Sequence, residues 1–233
     1  MIVTIHQPDF MPWLGFFKKI AHADIWIVLD HVYSNPRDAA SWLRRVKILA
    51  NNCPFWLSLP VKKPKSGSLE TPINKLEYNF SQSKLISERL KTIEQSYRRS
   101  RNFDKIFPII KAFFYDNNCN LTHRNINFIK TVNILLNIDT EIKFSSEFQV
   151  SSKSTQLLID LTKIVGGHTY LSGDGASGYQ KEELFLKNKI DLKLNNFTPK
   201  PYKQLSKDIF HPGLSIIDCL FNVEIDEVKH LIS

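Results

Sequence analysis

Cysteine is scarce in this chain of 233 residues: Cys53, Cys119 and Cys219 are the whole supply. An odd number, spaced far apart, argues against a disulfide framework and offers no zinc-ligand spacing. The histidines also lack a His-Glu-x-x-His arrangement, so no metal site is expected. Long apolar runs are missing, since none approaches the roughly 20 residues needed to cross a bilayer. The N-terminus lacks the basic flank and small-residue cleavage site of a secretory signal, which makes the cytoplasm the expected location. No internal repeat or low-complexity segment occurs, and the loops rich in Asn, Lys and Ile read as compositional bias.

Acidic residues are outnumbered, 23 against 31 Lys and Arg, which leaves a net charge of +8. That balance favours an anionic partner. Nucleic acid, acidic phospholipid and the diphosphate of a nucleotide all fit, and charge alone does not choose among them. The cluster Arg98-Arg-Ser-Arg101 reads either as a solvated face or as an anion contact. Hydrophobic and charged fractions of 42% and 23% are ordinary for a globular protein. The length suits one α/β domain, with or without a helical insertion.

What is present begins with a strand. Ile2–Ile5 is a short apolar run that ends in His6-Gln-Pro-Asp-Phe-Met-Pro12. Trp13–Ile20 then begins a helix, and Ile25–Leu29 forms a second strand that stops at Asp30-His31. This order puts His6, Gln7, Asp9 and Asp30 at the carboxyl ends of neighbouring strands, where open α/β sheets place their ligands. Ser41–Ala50 is expected to be a short helix carrying Arg44, Arg45 and Lys47, which suit phosphate binding. Phe55–Val61 reads as a strand, with Pro60 near its end. Lys62-Lys-Pro-Lys-Ser-Gly67 is a basic turn, either a surface loop or a phosphate contact, but it lacks the spaced glycines of a Walker A loop.

Residues 81–137 read as helical, with three apolar stripes at helical spacing. They run through Leu90, Ile93 and Tyr97, then Ile106, Ile110 and Phe113, then Ile126, Ile129 and Val132. Pro108 is a candidate break in the second helix. The α/β pattern resumes with a helix over 153–165 that Gly166-Gly167 ends. A strand at Thr169–Leu171 follows, then a helix over 182–188 and a strand over 192–197. Ser215 is a candidate cap for a last helix, with Asp218 in the capping-box position. The expected fold is α/β: a mostly parallel sheet flanked by helices, with a helical insertion or subdomain. Its divisions are an N-terminal α/β segment (1–80), the helical insertion (81–140) and a C-terminal segment (141–233) completing the same domain.

The candidate chemistry sits in three blocks. They are His6-Gln-Pro-Asp-Phe-Met-Pro-Trp-Leu-Gly-Phe-Phe-Lys-Lys-Ile20, Tyr170-Leu-Ser-Gly-Asp-Gly-Ala-Ser-Gly-Tyr179 and Phe210-His-Pro-Gly-Leu-Ser-Ile-Ile-Asp-Cys-Leu-Phe-Asn222. In the first, His6 can serve as a general base or as a donor to an anion. The second follows a strand, and the amides of Ser172, Gly173 and Gly175 could cradle a phosphate or carboxylate. In the third, a turn holds His211. Trp13, Tyr179 and Tyr202 read equally as core residues or as stacking partners for a base or sugar ring. His31, beside Asp30, is a further candidate.

These blocks and their order resemble the WbqC-like protein family, from near residue 2 to near residue 222. The family is associated with bacterial gene clusters for O-antigen and other surface glycans, including lipopolysaccharide. The resemblance therefore implies a role near nucleotide-sugar modification without naming a reaction. One block departs from the family pattern. After Asp30-His31 the family carries a Gln/Arg/Asn-rich segment, and here Arg44, Arg45 and Lys47 keep only its basic end. Pro12-Trp-Leu-Gly-Phe-Phe17 and Ser151-Ser-Lys-Ser-Thr155 are also faintly similar to class I nucleotidyltransferase motifs, but both histidines of the His-x-Gly-His motif are missing.

The leading expectation is a cytoplasmic transferase that modifies a nucleotide-linked amino sugar, by N-acylation. His6 would be the base, with Asp9 or Asp30 as its orienter or a substrate contact. Arg44, Arg45 and the 173–178 loop would clamp the diphosphate, and Gln7, Trp13, His31, Lys47, Ser172, Gly173, Gly175, Tyr179 and His211 complete the expected substrate contacts. No cofactor is named. The alternatives are an ATP-dependent nucleotidyltransferase and a non-catalytic binder of a nucleotide-sugar or of nucleic acid. Nucleic acid is the less favoured partner, and a homo-oligomer is left open.

Overall fold

A computed structural model of the chain describes residues 1–34, 38, 40–63, 71–173, 180–206 and 209–233. The first strand, β1 (Ile2–His6), has Val3, Thr4 and Ile5 all buried, the pattern of a parallel strand covered on both faces. The helix α1 (Leu14–Ala21) carries the chain back to β2 (Ile25–Val28), in which every residue is buried. The segment β3 (Tyr33–Ser34) later pairs with β6 (Thr71–Pro72) as a short two-stranded ladder. Between them, β4 (Arg45–Ala50) and β5 (Cys53–Ser58) form an antiparallel hairpin.

Three helices follow, α2 (Ser83–Tyr97), α3 (Phe103–Tyr115) and α4 (Leu121–Leu136). The chain then returns to the sheet with β7 (Glu141–Phe144), α5 (Ser154–Ile164), β8 (Thr169–Ser172), α6 (Glu182–Lys187) and β9 (Asp191–Leu194). It closes with α7 (Ile216–Asn222) and α8 (Ile225–Ile232). The main sheet has five strands, all parallel, in the order β7-β2-β1-β8-β9. The fold is α/β, with a parallel sheet and flanking helices.

That order has a consequence for the site. The chain builds outward from β1 through β2 to β7, then crosses to the other side of β1 to lay down β8 and β9. The reversal leaves a crevice between β1 and β8 at their carboxyl ends, the position where doubly wound sheets bind ligands. Strand alternation supplies a separate core on each face. Val3, Ile5, Ile25 and Ile27 face Leu157, Ile159, Leu161 and Phe185. Trp26 and Val28 join the larger core, which takes Phe10 and Phe17, Ile110 and Phe113 of α3, and Ile217 and Phe221 of α7.

Several expectations need correction. Residues 45–50 are a strand, not the expected helix, because Val46 and Ile48 alternate into the core at 1% and 0% exposure. Asn51 and Asn52, at φ 51° and 61°, close the hairpin in the left-handed pair of conformations that a two-residue hairpin turn demands. The helix α3 runs unbroken across Pro108. Ser215 does cap α7, accepting the Ile217 N–H at 3.3 Å, but Asp218 does not complete a capping box. Its carboxylate accepts hydrogen bonds from the hydroxyls of Tyr97 at 2.9 Å and Tyr202 at 2.8 Å. Burial pushes the Asp218 carboxyl up, with the two hydroxyls opposing. Gly166, at φ 78°, follows α5 and ends it as expected. Among the described residues, no helix is long and apolar enough to cross a membrane.

Candidate functional site

The carboxyl ends of β1, β8 and β9 open into a cavity of about 1030 Å³. Its inner end, at the sheet, is formed by His6 closing β1, Gln7 and Asp9 after it, Gly173 after β8 and Asn195 after β9. One wall is α1, through Gly15, Phe16 and Lys19, and another comes from Trp42 and Lys47. A smaller depression of about 470 Å³ lies at the amino end of the sheet, beside Asp24 and Thr140. It is remote from this cluster of titratable groups.

The loop after β1 is fixed from several directions. The Gln7 carbonyl accepts both the His6 Nδ1–H and the Asp9 backbone N–H, each at 3.0 Å. The Asn125 side-chain amide, fully buried on α4, donates to the Pro8 carbonyl at 2.8 Å and to the Leu43 carbonyl at 2.9 Å. Its oxygen accepts from the Tyr78 hydroxyl at 2.8 Å. The Phe10 N–H donates to the Trp42 carbonyl at 2.9 Å, which ties the loop to the segment entering β4. Met11 is buried at φ 42°, a conformation that costs a non-glycine residue about 1–3 kcal/mol. Ser215 holds it there, donating its hydroxyl to the Met11 carbonyl at 2.6 Å.

The electrostatics of the inner end follow from these contacts. The Gln7 carbonyl can only accept, so it selects the imidazole tautomer with hydrogen on Nδ1 and leaves the lone pair on Nε2. Enclosure of the ring, helped by the Lys19 ammonium and opposed by the Gln7 hydrogen bond, pushes the His6 pKa down to about 3. His6 is therefore neutral at physiological pH. Its ring meets Phe16 edge-on, with centroids 5.1 Å apart. The Asp9 carboxylate lies 3.6 Å from His6 Nδ1. Burial raises the Asp9 pKa to about 7, opposed by Lys19. Lys19 itself is only 3% exposed. Its ammonium is 3.7 Å from where a β-carbon on Gly173 would sit, so α1 delivers a positive charge to the end of β8.

The cavity brings together six of the expected site residues: His6, Gln7, Asp9, Trp13, Lys47 and Gly173. Ser172 is fully buried beneath it, donating its hydroxyl to the Gly173 carbonyl at 3.2 Å. His211 precedes Pro212 and Gly213, which line the cavity, and its backbone is held by both ends of the Gln204 amide at 2.9 and 3.0 Å. Arg44 is turned to the Leu59 and Asp38 carbonyls, at 3.2 and 3.3 Å. Arg45 lies over the Trp56 ring on the outer face of the hairpin. Neither arginine lines the cavity.

Asp30 and His31 are placed in a separate hydrogen-bonded knot. The Asp30 carboxylate accepts from the Ser145 and Ser146 hydroxyls at 3.0 and 2.7 Å and from the Ser146 N–H at 2.9 Å. His31 Nδ1 is 2.6 Å from Ser145 Oγ. The knot joins the end of β2 to the turn after β7. Gly175 and Tyr179 lie outside the described residues, as do residues 64–67 of the basic loop.

Lys19, Asn125 and Asn195 stand out at the site only in three dimensions. A lysine three residues after Phe16, on the apolar face of α1, was the available sequence signal for the first. Asn125 sat similarly among apolar positions of α4. Asn195 had no such signal; it donates its side-chain amide to the Gly15 carbonyl at 3.1 Å. Among the described residues, no group of three or more His, Cys, Asp and Glu is placed to hold a metal ion.

These features define a doubly wound α/β protein with a polar, titratable crevice at its switch point. The chain belongs to the WbqC-like protein family, which it matches over residues 7–230. It is also similar to Uncharacterized protein Rv1507c of Mycobacterium tuberculosis (strain ATCC 25618 / H37Rv), with 26% identity over 233 residues, covering 98% of this chain and 96% of that protein. No solved structure matches it.

Proposed function

We propose that this protein is a transferase that acylates the amino group of a nucleotide-linked sugar destined for a bacterial surface glycan. The glycan setting comes from the family. The chemistry is supported by one observation above the others, a neutral imidazole with its Nε2 lone pair free of the proton, beside the carboxyl of Asp9. Both groups stand at the ligand-binding end of the sheet, in a cavity at the upper end of the roughly 300–1,000 Å³ range typical of small-molecule sites.

In the assigned step, the sugar amine attacks the carbonyl carbon of an acyl thioester, supplied as the second substrate. The C–N bond forms and the C–S bond breaks. His6 Nε2 takes the proton from the attacking nitrogen and returns it to the departing sulfur. The ionised Asp9 carboxylate steadies the imidazolium between those two transfers. Lys19, fixed beside Gly173, supplies positive charge for the carbonyl oxygen as it becomes an oxyanion. In this reading Asp30 and His31 keep a structural role in the knot at the end of β2.

The test is turnover of a nucleotide-linked amino sugar with acetyl-coenzyme A. His6→Ala is expected to lose about 10²–10⁴-fold in rate while keeping the wild-type circular dichroism spectrum. Wild-type turnover in that variant would overturn the assignment of the base.

A further inference from the structure

The β4–β5 hairpin has two unlike faces. Val46, Ile48 and Leu57 point into the core at 1% exposure or less. The opposite face presents Arg45, Lys47 and Trp56, with Lys47 and Trp56 directly paired across the strands. The Arg45 guanidinium lies 4.0 Å from the centre of the Trp56 ring, and the Lys47 ammonium 5.0 Å from it. Trp42 meets the same ring at 5.3 Å and 59°. These are two of the four tryptophans of the chain, yet Trp42 is 46% and Trp56 36% exposed. Arg45 Nε is buried with no hydrogen-bond partner among the described residues.

Two adjacent half-exposed tryptophans, with two cations over one of them, put a π face and positive charge at one place. Their position is informative, because Trp42 and Lys47 are also part of the cavity wall. The aromatic face is thus continuous with the site that contains His6, Asp9 and Lys19. We infer that the Trp42–Trp56 face is the nucleoside subsite of the nucleotide-sugar, with Arg45 and Lys47 taking its diphosphate. This inference rests on the reading given under Proposed function and fixes the direction of the substrate within it. The base stacks at the mouth, the diphosphate meets the paired cations, and the sugar points inward to the imidazole.

Two arguments favour the base over the sugar at the hairpin. A planar π system stacks on an indole and also gains from an adjacent guanidinium. The titratable groups lie at the inner end, so the reacting sugar belongs there. The ring is distinguished from the charge by using separate probes.

The experiment is calorimetric and fluorescence titration with nucleoside diphosphates, inorganic pyrophosphate and glucosamine 1-phosphate. A nucleoside diphosphate is expected to quench tryptophan fluorescence. Trp56→Leu is expected to weaken its binding about tenfold or more, with affinity for pyrophosphate and for glucosamine 1-phosphate held within about twofold. Lys47→Ala is expected to weaken nucleoside diphosphate and pyrophosphate alike. An unchanged melting temperature and circular dichroism spectrum establish that each variant is folded, and Trp42→Leu supplies a second test if Trp56→Leu is not. Wild-type affinity for nucleoside diphosphates in both folded tryptophan variants would overturn the inference. So would loss of glucosamine 1-phosphate binding in place of the nucleotide, which would put the sugar on the hairpin. Tryptophan-dependent nucleotide binding without any glucosamine 1-phosphate binding would support the subsite and count against the amino-sugar reading. No binding of any nucleoside diphosphate would overturn both.

Discussion

Asp9 and His6 respond to pH with opposite signs, and both arise from enclosure in the same crevice. Between the unfolded value of 3.8 and about 7 the folded chain holds a proton on Asp9 that the unfolded chain releases. This contribution to stability is present at acid pH and is lost as pH rises through about 7. Asp9→Asn should therefore stabilise the protein above pH 7, by at most about 4 kcal/mol given ~1.4 kcal/mol per pH unit, with no gain below about pH 4. Urea denaturation at the two pH values checks it. For His6 the folded value is the lower one, so its contribution is present above 6.5 and is lost as pH falls toward about 3. Because His6 is neutral throughout the working range, the acid limb of the rate profile should report Asp9, near pH 7. Lys19 holds the Asp9 pKa down, so Lys19→Met should move that limb to higher pH. An unmoved limb would detach Lys19 from the site. His6 and Asp9 were legible as polar residues at a strand end. Lys19 was not, because a lysine in an amphipathic helix reads as solvated until its neighbours show that it faces inward.

At the scale of elements, the crevice depends on how α1, α4 and the hairpin hold the loop after β1. A β-carbon at Gly15 would come within 2.5 Å of the Trp13 ring and 2.7 Å of the Phe197 ring. Gly15→Ala should gain up to about 1 kcal/mol in helix propensity yet displace Trp13. A folded protein with weakened ligand binding is the expected result, read by calorimetry. Asn125→Ala removes the donor to Pro8 and Leu43 and strands buried partners, at about 1–3 kcal/mol for each group left unsatisfied. Denaturant titration should show the loss, and a neutral result would remove Asn125 as the anchor. The strands β1, β2 and β8 were readable because buried parallel strands leave short apolar runs. The hairpin was misread because Arg45-Val-Lys-Ile-Leu fits either period over so short a span. The left-handed Asn51-Asn52 turn was the signal that distinguishes them.

Across the whole molecule, the larger core joins residues that are far apart in the chain. Phe10, Phe113 and Phe221 belong to one contiguous cluster, although each comes from a different segment of the chain. We therefore expect the N-terminal, helical and C-terminal segments to unfold together, in one transition with coincident fluorescence and circular dichroism midpoints. Two separated transitions would mark residues 81–140 as an independent unit. The α/β class could be read from the alternation of strand and helix, but the strand order could not. Nothing local in Glu141–Phe144 announces that it pairs with β2, and the switch point comes from the equally long-range pairing of β8 with β1.

The crevice between β1 and β8 is proposed to hold a nucleotide-linked amino sugar against His6, Asp9 and Lys19. The most direct test is thermal denaturation of wild-type protein and of Lys47→Ala with nucleotide-linked amino sugars, their unaminated counterparts and ATP–Mg²⁺. Ligand at about 100 times its dissociation constant stabilises a one-site protein by roughly 2.7 kcal/mol. A rise in melting temperature is expected with an amino-sugar nucleotide, smaller in Lys47→Ala. A rise with ATP–Mg²⁺ alone, or an equal rise in both proteins, would contradict it.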